Sequence, residues 1–399
     1  MIKKLIAFIC LMSSVVFAEI DATIPVIDMD EYRDPETREK FITELYEAFQ
    51  DVGFVAVINT GVDQQVLDDA YAALEEFYHH PFDEKMESFD HEKAGERGYT
   101  PGESAKGQEE KDFKEFYSIG REVDPLRQER LGLWENVWPE SEDFQEALTT
   151  LYQTLEDYKV QFEQVIARAI GVEENFFTKM TSEGDILLRA IHYPANPLEN
   201  QLWAAEHTDI NLFTILPRAT AKGLQVQNKQ GEWIKVKVPE DAFIINAGDM
   251  LENITNGEFH SGLHRVVAAN DGYERYSVVY FVHPKSEDRL DPLLGCIERT
   301  GGVQKYANTT RLELLEERLV DLGLAPFSMM KHLAESGLMD RLIDLGRASP
   351  TVMLKLNEEG LASEKVLEEL ARLFPKAETI TVEPTFPVLD LDDYFNTEE

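Results

Sequence analysis

Apolar side chains recur at helical spacing in three stretches of the first half of the chain. Residues 38–50 place Leu45 and Phe49 on one face, and residues 63–78 and 141–170 continue the same period. A repeat of this kind puts the apolar positions on one side of a helix. These stretches are therefore predicted to be helices that each bury one face.

A second pattern, of short apolar runs rich in β-branched residues, predicts strands. The runs T-I-P-V-I-D-M-D at 23–30 and V-G-F-V-A-V-I-N at 52–59 are two examples near the N-terminus. From Asp185 to His283, short apolar runs alternate with turn residues, which is typical of a many-stranded barrel or sandwich. The predicted fold is mainly β with flanking helices, an α+β class.

Helical spacing returns after about residue 300. Thr310 followed by Glu313 forms a capping-box sequence, and the helix that it begins is expected to end at Gly323. Further helices are predicted at 328–346 and 364–374. This C-terminal part is interpreted as a helical appendage.

The patterns together divide the chain into successive parts. These are a signal peptide at 1–18, an N-terminal region at 23–140, a β-rich domain at 141–290, a helical appendage at 300–376 and an acidic tail at 377–399.

The N-terminus has the pattern of a cleavable export signal. Lysines precede an apolar run from Leu5 to Phe17, and Ala18 supplies a small residue before a cut. The run is too short to span a membrane, so no stable span is expected after signal removal. The prediction is a periplasmic or secreted protein, and a cytoplasmic protein is the alternative. Cleavage would remove Cys10 and leave Cys296 without a disulfide partner in the chain.

The charge balance argues against one class of partner. The chain has 38 Lys and Arg against 76 Asp and Glu, a formal net charge of -38. Since non-specific affinity for nucleic acid comes from basic side chains that neutralise phosphates, nucleic acid is not expected as a partner. A small-molecule substrate is expected instead, and the oligomeric state is left open.

Three residues have the types and spacing of a metal site. If the run H-T-D-I-N-L-F-T-I-L is one strand, His207 and Asp209 project from the same face of it. His264, in the later strand H-R-V-V-A-A, is the third candidate. Two histidines and one carboxylate leave positions open on the metal, which is the arrangement found in non-haem Fe(II) oxygenases.

A predicted hairpin connects His264 to a possible anion site. The sequence N-D-G-Y at 270–273 is a strong signal for a two-residue turn. If 270 pairs with 273, the register places 264 opposite 279, and Arg275 and Ser277 share a face with His264. Arg275 would then lie about four residues, roughly 13 Å, along the strand, a span that an arginine and a five-carbon diacid can bridge. Its guanidinium and the Ser277 hydroxyl suit a carboxylate.

These motifs occur in the order of a known family. The opening I-P-V-I-D-M-D, the strand G-F-V-A-V-I-N, the H-Y-P at 192–194, H-T-D, and G-D-M-L-E-N-I-T-N-G-E-F-H-S-G-L-H-R-V-V followed by R-Y-S all appear. Over residues 23–285 the chain resembles the isopenicillin N synthase-like 2-oxoglutarate/Fe(II)-dependent dioxygenases. The resemblance implies a distorted double-stranded β-helix, or jelly roll.

The resemblance also implies a reaction and the residues that carry it. His207, Asp209 and His264 would be the iron ligands and the catalytic centre. With O₂, 2-oxoglutarate would be converted to succinate and CO₂ while an unidentified small organic molecule is oxidised.

For the cosubstrate, the resemblance implies that Arg275 and Ser277 hold 2-oxoglutarate. Tyr193 matches a position whose hydroxyl helps to hold it. Ile191 stands where many relatives have asparagine, so that contact is not expected here.

Other functions stay open on the residues alone. An oxidase of the same fold could bind its substrate directly without 2-oxoglutarate. A non-catalytic, metal-stabilised binding module would use the appendage as its interaction surface. A zinc hydrolase fits less well because no general-base carboxylate lies near the candidate ligands in sequence.

One repeat falls outside these motifs. The segment T-I-P-V-I-D-M-D-E-Y at 23–32 returns as T-F-P-V-L-D-L-D-D-Y at 385–394. One reading is that only the opening of a second oxygenase module survives here. The other, which we predict, is that Thr385–Leu391 adds a strand to an edge of the barrel domain's sheet, because an edge strand accepts a further strand.

Overall fold

The computed structural model describes residues 24–93, 95–102, 112–195, 197, 202–268 and 272–375. The predicted signal peptide at 1–18 and the predicted strand within 385–394 lie outside the described residues. Within them, two β-sheets face each other, helices cover the larger sheet, and a bundle of helices follows at the C-terminal end.

The larger sheet has eight strands. In spatial order they are β1 (Val26–Asp28), β2 (Phe54–Ile58), β10 (Phe243–Ala247), β7 (Phe213–Leu216), β12 (Arg275–Val282), β5 (Leu187–Tyr193), β4 (Glu115–Gly120) and β3 (Gly98–Thr100). β1 pairs in parallel with β2, and the pairings that follow are antiparallel.

The smaller sheet has four strands and covers one face of the larger sheet. In spatial order they are β6 (Ala204–His207), β11 (His264–Val266), β8 (Leu224–Gln227) and β9 (Trp233–Lys235). Phe54 of β2 packs in an apolar cluster with residues of the smaller sheet such as Val226, whereas its neighbour Val55 packs on the helical side. This alternation gives a mixed α+β architecture consistent with a jelly roll.

The outer face of the larger sheet is covered by helices. Those before the β-rich region are α1 (Met29–Arg33), α2 (Arg38–Asp51), α3 (Gln64–Tyr78), α4 (Phe82–Met86), α5 (Pro125–Leu131), α6 (Glu142–Ile170) and α7 (Phe176–Thr181). The helices predicted at 38–50, 63–78 and 141–170 are confirmed as α2, α3 and α6. Among the described residues, no helix combines the length and the apolar character that crossing a bilayer requires.

The C-terminal helices form a unit with its own apolar core. After α8 (Asp249–Ile254) in the β-rich region, α9 (Leu294–Arg299) buries Cys296 in the main core. The helices of the C-terminal unit are α10 (Arg311–Leu322), α11 (Phe327–Ser336), α12 (Leu338–Asp344), α13 (Pro350–Glu358) and α14 (Glu364–Leu373). The capping box of Thr310 and Glu313 is confirmed at the start of α10. The single helix predicted at 328–346 is wrong, because Gly337, with φ of 72°, ends α11 and separates it from α12.

The predicted N-terminal strand is shorter than the pattern indicated. β1 ends at Asp28, whose side chain accepts a hydrogen bond from the Asp30 amide and so begins α1. Ile27 and Met29 are both buried although they lie on the two sides of this boundary. The apolar run therefore contains buried residues of both a strand and a helix. The periodicity of the run did not show where the strand ends and the helix begins.

Gly53, between α2 and β2, allows two parts of the chain to approach closely. Its φ is 71°, and a Cβ there would lie 2.1 Å from the carbonyl oxygen of His260. We expect Gly53→Ala to lower the free energy of unfolding by about 1–3 kcal/mol, measured by chemical denaturation. Gly132→Ala is the matched control, since Gly132 has φ of 65° and nothing within 4 Å of its added Cβ. Equal losses in both variants would show that the close approach contributes nothing.

Candidate active site

The first two candidate ligands lie where the chain passes from one sheet to the other. β6 ends at His207, Asp209 follows in the connection, and β7 begins at Phe213 in the larger sheet. The prediction of one strand through His207 and Asp209 is therefore wrong. The two side chains converge because the connection turns, and the Asp249 amide donates a hydrogen bond of 2.8 Å to the Asp209 carbonyl within it.

His264 reaches the same point from the neighbouring strand. It lies directly opposite His207 in the β11–β6 pairing, and the two ring centroids are 4.3 Å apart. The Nε2 atoms of His207 and His264 lie 4.0 and 3.8 Å from Oδ1 of Asp209. We call His207, Asp209 and His264 the triad.

Hydrogen bonds fix which nitrogen of each imidazole faces the centre of the triad. Nδ1 of His207 lies 2.7 Å from the Ala205 carbonyl oxygen, and Nδ1 of His264 lies 3.0 Å from that of Gly262. Because a carbonyl oxygen only accepts, each Nδ1 carries the proton. In a neutral ring with this tautomer the lone pair is on Nε2, which in both histidines lies on the side of Asp209.

The carboxylate of Asp209 is oriented and kept ionised. Its Oδ2 accepts hydrogen bonds from the Thr214 hydroxyl at 2.5 Å and the Asn246 amide at 2.9 Å, which leaves Oδ1 towards the imidazoles. Burial raises the pKa of Asp209, but the imidazoles and these hydrogen bonds outweigh burial and hold its pKa below the ordinary value. Burial, reinforced by the His264 ring, lowers the pKa of His207 to about 4. At neutral pH the site thus has an ionised carboxylate and a neutral His207, the forms that bind metal.

The triad fits a single metal ion. The candidate ligand atoms of the three side chains all lie within 4.8 Å of one another, and the two distances from Nε2 to Oδ1 are 3.8 and 4.0 Å. Among the described residues, the triad is the one group of three or more His, Cys, Asp or Glu side chains placed to hold an ion. The donor set of two imidazoles and one carboxylate suits Fe(II) with open positions for other ligands.

The structure also brings together the residues expected to hold a carboxylate. Arg275 of β12 lies directly opposite Tyr193 of β5, with its guanidinium 4.8 Å from the tyrosine ring centroid. Nη1 of Arg275 donates a hydrogen bond of 3.0 Å to the Ser277 hydroxyl. All three side chains are buried. We call Tyr193, Arg275 and Ser277 the arginine pocket.

The predicted hairpin register is wrong. β11 belongs to the smaller sheet and β12 to the larger sheet, so 264 does not face 279. The connection between the two strands includes residues 269–271, which lie outside the described residues and contain the first two residues of the predicted turn. Arg275 and Ser277 share a pocket because they are two residues apart on β12 and so project from the same face of the strand.

Arg275 is a buried cation that has no acidic side chain at ion-pair distance among the described residues. Its side chain donates to the Ala221 carbonyl and the Ser277 hydroxyl, both neutral acceptors. In the part of the chain that the structure describes, no Asp or Glu oxygen lies within 4 Å of its guanidinium nitrogens. Since burying an unpaired charge is costly, the pocket is suited to an anionic ligand, and a guanidinium with a hydroxyl matches a carboxylate.

A charged cluster beside the arginine pocket was missed by sequence reasoning. The two ring nitrogens of His192 each lie 2.7 Å from a carboxylate oxygen, one of Glu115 and one of Glu274. The imidazole ring therefore bridges the two carboxylates. It ties the ends of β4, β5 and β12 together next to Tyr193 and Arg275. The H-Y-P motif contains His192, but its partners are distant in sequence.

The residues that orient Asp209 were also missed, although both left a signal in the sequence. Asn246 is a polar residue inside the apolar run F-I-I-N-A, and buried polar side chains need hydrogen-bond partners. Thr214 lies in an apolar strand in the same way. A search for isolated polar residues in predicted core strands would have found both.

Two protein families match parts of the chain. Residues 24–141 match the non-haem dioxygenase in morphine synthesis N-terminal family, and residues 184–284 match the 2OG-Fe(II) oxygenase superfamily. Both matches end before the C-terminal helices α9 to α14.

Individual proteins show the same relationship. The oxoglutarate-dependent flavonoid 7-O-demethylase 1 of Ocimum basilicum is 31% identical over 67% of this chain and 71% of its own length. The 2-oxoglutarate-dependent dioxygenase citB of Monascus ruber is 30% identical over 68% of this chain and 87% of its own length. A 2OG-Fe(II) oxygenase family protein from Caulobacter crescentus has a similar structure, with 32% identity, a TM-score of 0.68, and coverage of 74% of this chain and 98% of that one.

A further structure is that of a full-length Neurospora crassa protein in complex with alpha-KG, which is 26% identical with a TM-score of 0.65 and covers 74% of this chain and 96% of that one. The chain belongs to the 2OG-Fe(II) oxygenase superfamily. It is an Fe(II)- and 2-oxoglutarate-dependent dioxygenase, and the family resemblance and cofactors expected from its motifs are confirmed.

Proposed function

We propose that the triad holds the Fe(II) and that the arginine pocket holds the far carboxylate of 2-oxoglutarate. The observation that carries this assignment is the buried Arg275 guanidinium without an acidic partner among the described residues. Both groups border the same interior, since the Phe54 ring packs edge-on at 5.4 Å from His264 and belongs to the same apolar cluster as Tyr193. We also propose that the two facing sheets form the distorted double-stranded β-helix of this family.

Each group then has a defined task in the reaction R–H + 2-oxoglutarate + O₂ → R–OH + succinate + CO₂. Bound Fe(II) supplies the activation of O₂ that is coupled to oxidative decarboxylation of the cosubstrate. Asp209 offsets part of the metal charge, and the Nδ1–H bonds of the histidines hold their Nε2 lone pairs in place. Arg275 orients the cosubstrate by its far end, and the apolar interior excludes water.

The substrate is proposed to be a small organic molecule. Relatives of this chain carry names as different as flavonoid 7-O-demethylase, azadirone synthase and 2'-deoxymugineic-acid 2'-dioxygenase. In such folds substrate contacts come from loops at the ends of strands. The stretches at 94–108 and 196–206 are the candidates, and parts of both lie outside the described residues.

The proposed function is tested by adding Fe(II) and 2-oxoglutarate to the purified protein without oxygen. We expect a visible charge-transfer band that neither component gives alone, followed by succinate when oxygen and a panel of small organic substrates are added. Absence of the band would contradict the assignment. Oxygen consumption without succinate would indicate an oxidase that needs no 2-oxoglutarate, and metal binding with neither product would indicate a binding module.

A further inference from the structure

The C-terminal helices contact the β-rich region directly behind the triad. Nε of Arg318, on α10, lies 3.0 Å from Oδ2 of Asp249, the first residue of α8. Asp249 is buried, with 8% of its surface exposed. Among the described residues, Arg318 is the one cationic side chain that forms an ion pair with this carboxylate.

Asp249 in turn holds the segments that carry two members of the triad. Its backbone amide donates to the Asp209 carbonyl oxygen at 2.8 Å. Its Oδ1 accepts a hydrogen bond of 2.6 Å from the Ser261 hydroxyl, three residues before His264. One buried residue therefore touches the Asp209 connection, the approach to His264 and the C-terminal helices.

The surroundings make the Arg318 contact important to Asp249. Besides Asp249, the carboxylates of Glu317, Asp321 and Glu252 act on the Arg318 guanidinium, in a chain whose formal net charge is -38. The negative charge of Asp249 raises the pKa of Arg318 above its ordinary value. Without Arg318, a buried carboxylate would lack its countercharge in a negative field, and it would relax towards solvent.

We propose that Arg318 is a positioning residue for the iron site, and that α10 braces the triad through Asp249. The proposal rests on the proposed function, because it takes the triad as the iron ligands. The brace lies beyond residue 284, where the superfamily match ends. It therefore gives the helical appendage a role that the matched part of the chain does not contain.

The test compares Arg318→Met with the wild type and with Arg341→Met. Arg341 is the matched control, since it forms an ion pair of 2.9 Å with Glu313 inside the appendage and does not contact Asp249. Mn(II) is titrated into metal-free protein and followed by electron paramagnetic resonance. We expect affinity about tenfold weaker in Arg318→Met, within the range for residues that orient metal ligands, and unchanged in Arg341→Met. Arg318→Lys should recover most of the loss because it restores the charge.

Hydrogen exchange on the metal-free proteins gives a second readout. The Asp249 amide, which bonds to Asp209, should exchange faster in Arg318→Met than in the control. Wild-type Mn(II) affinity in Arg318→Met, or an equal loss in Arg341→Met, would overturn the proposal. If the wild type binds no Mn(II), the proposed function fails instead, and unchanged exchange at Asp249 would then overturn the brace separately. If Arg318→Met does not fold, Asp249→Asn removes the same ion pair. The same changes in Mn(II) affinity and hydrogen exchange are then expected for Asp249→Asn, and their absence would overturn the proposal.

Discussion

Asp209→Asn is expected to abolish Fe(II) binding and 2-oxoglutarate turnover. Thr214 and Asn246 both donate to Oδ2 of Asp209, so an asparagine would place its oxygen there and turn its NH₂ group towards the imidazoles. The site would then lose both its negative charge and its third ligand atom. We expect Fe(II) affinity to fall more than about 100-fold, beyond the usual cost of changing a residue that merely orients a ligand. Titration of Fe(II) without oxygen and assay of succinate measure the two effects.

Two companion variants separate loss of the ligand from loss of the fold. Asp209→Ala should lose the same activity and also about 1–3 kcal/mol of stability, because it leaves the Thr214 and Asn246 donors without their acceptor. Asp241→Ala changes an exposed aspartate and should keep both properties. Turnover near the wild-type rate in Asp209→Asn would place the carboxylate ligand elsewhere.

The three residues of the triad could be named from the sequence, but the reason given for their proximity was wrong. Strand alternation was the reason given for placing His207 and Asp209 together, yet the strand ends at His207 and the chain crosses to the other sheet. The H-T-D motif indicates which side chains can bind a metal ion, but not how they are positioned. The geometry depends on the pairing of His207 with His264, and on the contact between Asp209 and Asp249. Both contacts join residues far apart in the chain.

Local sequence signals predicted the helices well, but they did not predict which strands and side chains are neighbours in the fold. The helical period and the capping box gave α2, α3, α6 and α10 because they depend on neighbouring residues. The D-G turn signal is equally local, but the neighbours of β12 are β5 and β7, which no turn specifies. The charged partners of His192 were missed for the same reason. In the pattern of α10, Arg318 was an ordinary polar position of an amphipathic helix.

Arg275→Met is expected to weaken 2-oxoglutarate binding while the protein still folds. The guanidinium is the buried cation of the arginine pocket, so its loss removes the charge-assisted contact to the far carboxylate. Truncating one partner of a buried charge pair costs about 2–5 kcal/mol. That range corresponds to roughly 30-fold to several-thousand-fold in affinity. Methionine keeps much of the volume, and the residues that fix the triad are unchanged.

The kinetic pattern distinguishes this role from general damage. KM for 2-oxoglutarate should rise steeply in Arg275→Met while kcat at saturating cosubstrate and the affinity for Fe(II) change little, because Arg275 does not touch the triad. Arg265→Met is the matched control. Arg265 neighbours His264, but its guanidinium lies 4.0 Å from the Trp233 ring centroid and its Nε donates to Gln225 at 2.8 Å, so it braces the smaller sheet. An unchanged KM for 2-oxoglutarate in Arg275→Met would remove the arginine pocket from cosubstrate binding and favour an oxidase that takes its substrate directly.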